Sequence, residues 1–142
     1  MRLVVTVPAY NEEDSVADVI KSIPRKYDGV REVAILVIDD GSQDRTIEAA
    51  MTAGADDIVK IKQNSGLATA FRRGQKRALE MGADIIVNID ADGQYDPNEI
   101  FKLIAPIIDE KADMVLGSRL GGTIESMTKS KLVGNRFGTW VT

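Results

Sequence analysis

DIIVNIDADGQYDPNEI, residues 84–100, is the stretch on which the fold turns. DIIVNI (84–89) is short, apolar and rich in β-branched residues, as a strand buried on both faces must be. It runs straight into acids, and Asp96-Pro97 then supplies a cap and a first-turn proline for a helix expected over 98–110. Working outward, the same unit recurs. LVVTV (3–7), VAILVI (33–38), DIVKI (57–61) and DMVLG (113–117) read as further strands. Between them, helices are expected over 13–22, over 44–53 with Ser42 as N-cap and Gly54 as terminator, and over 67–81 ending at Gly82. The order βαβαβαβαβ implies an α/β, Rossmann-like three-layer fold, a mostly parallel sheet with helices on both faces. Ligands of such sheets bind at the carboxyl ends of the strands.

Composition narrows the chemistry. The 142 residues fit one domain, and no apolar run reaches the roughly 20 residues of a membrane span. MRLVVTVPAYNEE lacks the parts of a signal peptide, so a cytoplasmic protein is expected. The chain has no cysteine and no histidine, which excludes thiolate chemistry, Cys-based metal sites and the commonest general base. Catalysis must rest on carboxylates, amides, hydroxyls, Arg, Lys or a bound metal. A net charge of −4 argues against nucleic acid as partner. Residues 1–118 hold 14 basic and 21 acidic side chains, whereas residues 119–142 hold four basic and one acidic, so the tail differs in kind.

The strand ends carry the candidate chemistry. Asp90 and Asp92 leave the fourth strand two residues apart, a spacing that puts strand side chains on one side. With Gln94 they form an oxygen-only set suited to Mg²⁺ or Mn²⁺, a diphosphate completing the octahedron. The competing reading is a surface turn, since DGQYDP is rich in turn formers. Asp39 and Asp40 close the second strand. Adjacent residues face opposite ways, so Asp40 is expected to accept from a base or ribose and Asp39 to support the turn; alternatively Asp40, Gly41 and Ser42 only turn the chain and cap the helix. In PAYNEE (8–13), Pro8 stiffens the exit, Tyr10 can stack on a planar base, and Asn11 and Glu12 can hydrogen-bond to it. In NSGLATAFRRG (64–74), Gly66 permits close backbone approach to a phosphate at a helix N-terminus, while Arg72 and Arg73 read as solvated helix residues. Arg119, in GSR (117–119), offers a planar charged fork to a phosphate, or is simply a surface arginine.

PAYNEE, VIDDGSQD, NSGLATAFRRG, DADGQY and GSR, in this order and spacing, resemble the family 2 glycosyltransferases of the GT-A fold over nearly the whole chain. DADGQ and GLATAF look most like the dolichyl-phosphate mannose and glucose synthases of that family, and KSKLVGNRFGTWVT resembles their polyprenyl-phosphate acceptor stretch. The resemblance implies a divalent metal, Mn²⁺ or Mg²⁺, on Asp90, Asp92 and Gln94, with Asp92 the principal contact. It implies a GDP- or UDP-hexose donor held by Pro8, Tyr10, Asn11, Glu12, Asp40, Gly66, Asp90, Ala91 and Asp92, and Arg119 on the phosphates, with Asp92 and Arg119 the catalytic pair. Leu67 departs from the basic residue many relatives carry there, which leaves phosphate binding at that loop to backbone groups.

By this reading residues 1–118 form the nucleotide-sugar-binding domain and residues 119–142 begin an acceptor-binding segment, the chain being a piece of a longer protein. A polyprenyl-phosphate acceptor suits a protein without histidine, because a phosphomonoester is largely dianionic at neutral pH and needs no general base. The expected reaction is inverting transfer at the cytoplasmic face of a membrane. Residues 128–142, where Leu132, Val133, Phe137, Trp140 and Val141 lie among Lys129, Lys131 and Arg136, are expected to touch that membrane or to pack on the domain. A sugar nucleotidyltransferase would share the paired aspartates but open with a Gly-rich loop where PAYNEE stands. A non-catalytic nucleotide-sugar-binding module is the other alternative.

Overall fold

The structure, a computed structural model, describes residues 1–117. Four strands, β1 (Arg2–Ala9), β2 (Glu32–Asp39), β3 (Asp57–Lys60) and β4 (Ile85–Asn88), form one sheet in the order β3-β2-β1-β4. All three pairings are parallel, with Arg2 opposite Glu32, Leu3 opposite Ile85 and Leu36 opposite Asp57. Parallel strands need crossovers, and here these are the helices α1 (Val16–Ser22), α2 (Thr46–Ala53) and α3 (Leu67–Glu80). The path runs outward from β1 to β3 and then returns past β1 to β4. With right-handed crossovers that reversal sends α3 to the opposite face from α1 and α2.

Alternation along the strands sorts the core accordingly. Leu3, Val5, Val7, Ile35 and Val37 pack with Val16 and Ile20 of α1, Ala50 of α2, and Ile100 and Ile104 of α4 (Ile100–Ile108). Val4, Leu36 and Ile38 face Ala70 and Ala78 of α3. Leu3, Val5, Ile35 and Leu36 are fully buried, and each contributes about 1.5–3 kcal/mol on leaving water. The three-layer architecture is thus the one expected, and because all strands are parallel their carboxyl ends share one edge. Thr6, buried in mid-strand, lies 3.2 Å from the Val87 carbonyl and 3.1 Å from Asn88 Oδ1, tying the end of β4 to the central strand.

Several expectations need correction. Residues 113–117 carry no strand, and among the described residues β4 pairs only with β1. A strand is defined by its partner, and this apolar run has none there. The helix expected over 98–110 is a single 3-10 turn, Pro97–Glu99, followed by α4 with Pro106 inside it. Its Asp96 cap forms as expected, accepting from the Asn98 amide at 2.9 Å. Gly54 ends α2 in the left-handed region at φ +100°. Ser42, however, caps nothing: α2 starts four residues later, and Asp44 accepts from Thr46 N at 3.0 Å. Arg119 and the tail, including the domain boundary at residue 118, lie outside the described residues.

Candidate functional site: the carboxyl edge of the sheet

The β1 exit and the β2 exit are built as one object. Asn11 takes a left-handed backbone, φ +53°, and its Oδ1 accepts from Gln43 N at 2.9 Å while its own N–H donates to Ser42 Oγ at 2.9 Å. The next two amides repeat the pattern, Glu12 N donating to Thr46 Oγ1 at 2.8 Å and Glu13 N to Asp44 Oδ2 at 3.2 Å. In return, Arg45 N donates to Glu13 Oε2 at 3.0 Å. Glu12 turns its carboxylate inward along its own loop, where Oε2 accepts from Ser15 Oγ at 2.6 Å. Asn11 and Glu12, read from sequence as partners for a base, are therefore engaged in shaping the loop pair. Desolvation is the largest single influence on Asp44 and acts to raise its pKa. The Thr46 hydroxyl and the Thr46 and Glu13 amides together outweigh it and hold the carboxyl below its usual range. Tyr10 stands clear of this network, 42% exposed at the edge, with Pro8 half-buried beneath it.

The acids at the end of β2 divide as strand alternation requires. Asp39 is fully buried; its Oδ1 receives the Ser42 amide at 3.3 Å and its Oδ2 has no hydrogen-bond partner. The turn-supporting role expected of Asp39 matches that contact. Asp40, 6% exposed, sends its carboxylate to the next loop, where Oδ1 accepts from Ser65 N at 2.9 Å and Oδ2 from Gly66 N at 2.8 Å. The neighbouring residue makes this possible. Gly41 has φ +83°, and a Cβ there would sit 2.8 Å from Asn64 N and from the Gln63 carbonyl carbon, atoms of the backbone that cannot yield. Asp40 and Gly41 thus clamp residues 63–66 over the end of β2, and Gly66, φ +84°, opens α3 from that clamp. A carboxylate taking two backbone N–H bonds is strongly held in place. The sequence flagged Asp40 and Gly66 separately; the link between them, and the part of Gly41, are visible only in the fold.

Across the edge, the β4 loop is built differently. The strand ends at Asn88, so Asp90 and Asp92 are placed by the loop and not by strand alternation. Ala91 is buried and half-buried Asp90 precedes it, while Asp92 is exposed on a turn. That turn is closed by Asp92 itself, whose Oδ1 accepts from Gln94 N at 2.9 Å, with Gly93 in the left-handed region at φ +71°. The turn expected as the competing reading of DADGQ does form. It leaves Asp92 and Gln94 exposed. The carboxylates of Asp90 and Asp92 and the Gln94 amide oxygen are hard oxygen donors, the chemistry that a divalent cation of the Mg²⁺ or Mn²⁺ kind takes. Among the described residues no cluster of three or more carboxylates surrounds them, so other oxygens would have to complete the coordination.

The glycosyl transferase family 2 model matches residues 4–137. The UDP-N-acetylglucosamine–dolichyl-phosphate N-acetylglucosaminyltransferase of Methanococcus voltae is 34% identical over 155 residues, which cover 96% of this chain and 60% of that protein. The dolichol-phosphate mannosyltransferase of Pyrococcus furiosus is 35% identical over 131 residues, 89% of this chain and 36% of the relative. Among solved structures, glucosyl-3-phosphoglycerate synthase from Mycobacterium tuberculosis, in complex with Mn²⁺, UDP-glucose and phosphoglyceric acid, superposes with a TM-score of 0.61. It is 32% identical, over 75% of this chain and 39% of that one. The chain therefore spans 60% or less of the length of these relatives. A parallel sheet with its acids gathered at one edge and a family match over most of its length place this chain in the family 2 glycosyltransferases, with the GT-A fold.

Proposed function

We propose that this chain is the donor-binding part of an inverting, metal-dependent glycosyltransferase that moves a hexose from a GDP- or UDP-sugar to a polyprenyl phosphate. The observation that carries the reading is a rigid β1–β2 loop pair on the same sheet edge as the oxygen-bearing Asp90–Gln94 loop that follows β4. Relatives named as dolichyl- and dolichol-phosphate transferases support the acceptor class, and the Mn²⁺ and UDP-glucose of the solved neighbour support the donor class. Residues 1–118 hold the donor, and residues 119–142 begin the acceptor segment, working at the cytoplasmic face of a membrane. No helix among the described residues is long and apolar enough to cross a membrane.

In this mechanism Tyr10 stacks on the base over Pro8, Asp40 acts with the 63–66 loop beside the nucleoside, and Ala91 lines the floor under the sugar. Asp90, Asp92 and Gln94 would hold Mg²⁺ or Mn²⁺, which would supply positive charge to the diphosphate. Arg119 adds a second cation to the same phosphates. An acceptor phosphate oxygen bonds to the anomeric carbon from the side opposite the diphosphate. The bond from that carbon to the diphosphate oxygen breaks, and its electron pair leaves on the nucleoside diphosphate. Positioning and charge neutralisation are all this requires of the protein, because the attacking oxygen is already ionised. Calorimetric titration of UDP- and GDP-sugars with and without Mn²⁺ tests the assignment. The parent should bind one class in a metal-dependent way, and Asp92→Ala should lose that dependence with its thermal unfolding unchanged. Metal-dependent binding that survives in Asp92→Ala removes the site from these residues.

A further inference from the structure

The 20 residues from Lys60 to Leu79 contain six basic side chains, Lys60, Lys62, Arg72, Arg73, Lys76 and Arg77, and no acidic one, in a chain whose net charge is −4. Arg77 is spoken for, its Nε 2.6 Å from Asp57 Oδ2 and its Nη1 3.3 Å from Glu80. The other five are exposed and make no ion pair among the described residues. The fold gathers three of them, Arg72, Arg73 and Lys76, on α3. Ala70, Gly74 and Ala78 turn inward on the sheet, so Arg72, Lys76 and Leu79, spaced i, i+4, i+7, lie on the outward face of α3. The Arg77–Asp57 bond sets one flank of the helix over β3, with Arg73 one turn back on the same flank. Apolar groups accompany the charges: Leu79 is 64% exposed, and Leu67 and Phe71, in the first turns of the helix, are 67% and 45% exposed.

We propose that this outward face of α3 is a docking surface for an anionic lipid bilayer. Cations around exposed leucine and phenylalanine match a surface of lipid headgroups over acyl chains. Phosphodiester strands would use the charges and leave Leu67, Phe71 and Leu79 in water. Intramolecular cover is disfavoured by charge, since residues 119–142 carry four basic side chains and one acidic. The docking itself needs no donor; its sense rests on the polyprenyl-phosphate reading, because a lipid-borne acceptor is met at a bilayer and α3 starts at the donor edge.

The test uses the full chain, without nucleotide, sedimented with vesicles of phosphatidylcholine alone or with about 30% phosphatidylglycerol. Binding to the anionic vesicles, weakened by salt, is expected. Reversing the charges in Arg72→Glu/Arg73→Glu/Lys76→Glu should lower partitioning at least about tenfold while leaving thermal unfolding unchanged, because all three side chains are exposed. Phe71→Ser/Leu79→Ser should weaken it further at high salt, where only apolar contacts remain. Partitioning of the charge-reversed chain equal to the parent's would overturn the proposal, as would tighter binding to an oligonucleotide that displaces the vesicles. Asp92→Ala should sediment like the parent, so a failure of the metal assignment and a failure of the docking surface show in different measurements.

Discussion

The two halves of the candidate site are held in place by opposite means. On the β1–β2 side, residues 10–15 and 40–46 exchange five backbone amides with each other's side chains, and Asp40 reaches a third loop. On the β4 side, among the described residues, the Asp92 carboxylate bonds two residues along, to the Gln94 amide. The first arrangement is pre-formed and would recognise a rigid ligand with little loss of side-chain freedom. The second keeps exposed oxygens that are given order by whatever they coordinate. A nucleotide-sugar has the same asymmetry, a planar base at one end and a charged diphosphate between the ribose and the sugar.

The sharpest way to break this contrast is at Gly41. Gly41→Val puts a side chain into the Gln63–Asn64 backbone at a left-handed φ and is expected to lower unfolding stability by about 3 kcal/mol. Chemical denaturation measures it, and a loss below about 0.5 kcal/mol would mean the clamp is not formed. Thr46→Val comes next. Thr46 is fully buried, and losing its hydroxyl leaves the Glu12 amide without an acceptor, at about 2 kcal/mol. Hydrogen exchange should then show faster exchange at Glu12 and not at Gln94, whereas equal change at both would dissolve the distinction between the halves. The smallest effect is at acid pH. Asp44 has a lowered pKa, so its contribution is full above the unfolded value of 3.8 and is lost only as pH falls through the folded one. Asp44→Asn should therefore flatten the acid limb of the stability curve, which thermal melts from pH 7 downward would read. An unchanged limb assigns the acid transition to other carboxylates.

Local features were legible in the sequence and distant ones were not. Four strands, the Gly54 terminator and the Asp96-Pro97 cap follow from residues within a few positions of each other. Ser42 misled because its natural local role, capping α2, competes with an acceptor role for Asn11 N, 31 residues away, and the tertiary partner wins. DMVLG has strand composition, but composition supplies no neighbouring edge to pair with. In the candidate site, the carboxylates announced themselves as types. Which would be consumed by the fold and which left exposed depends on amides supplied from 25 and 26 residues away, as Asp40 shows.

Gly74 gives the outward face of α3 a fixed bearing. A Cβ on it would lie 2.9 Å from Ile38 Cδ1 and 3.0 Å from Cγ1, so the helix backbone rests directly on the Ile38 side chain of β2. That contact acts as a keyway: it suppresses roll of the helix about its own axis, since a turn of one residue would drive Arg73 or Gln75 towards the same spot. A rod that cannot roll transmits torque. Any surface that grips the outer side of α3 therefore pulls directly on the loop that opens it.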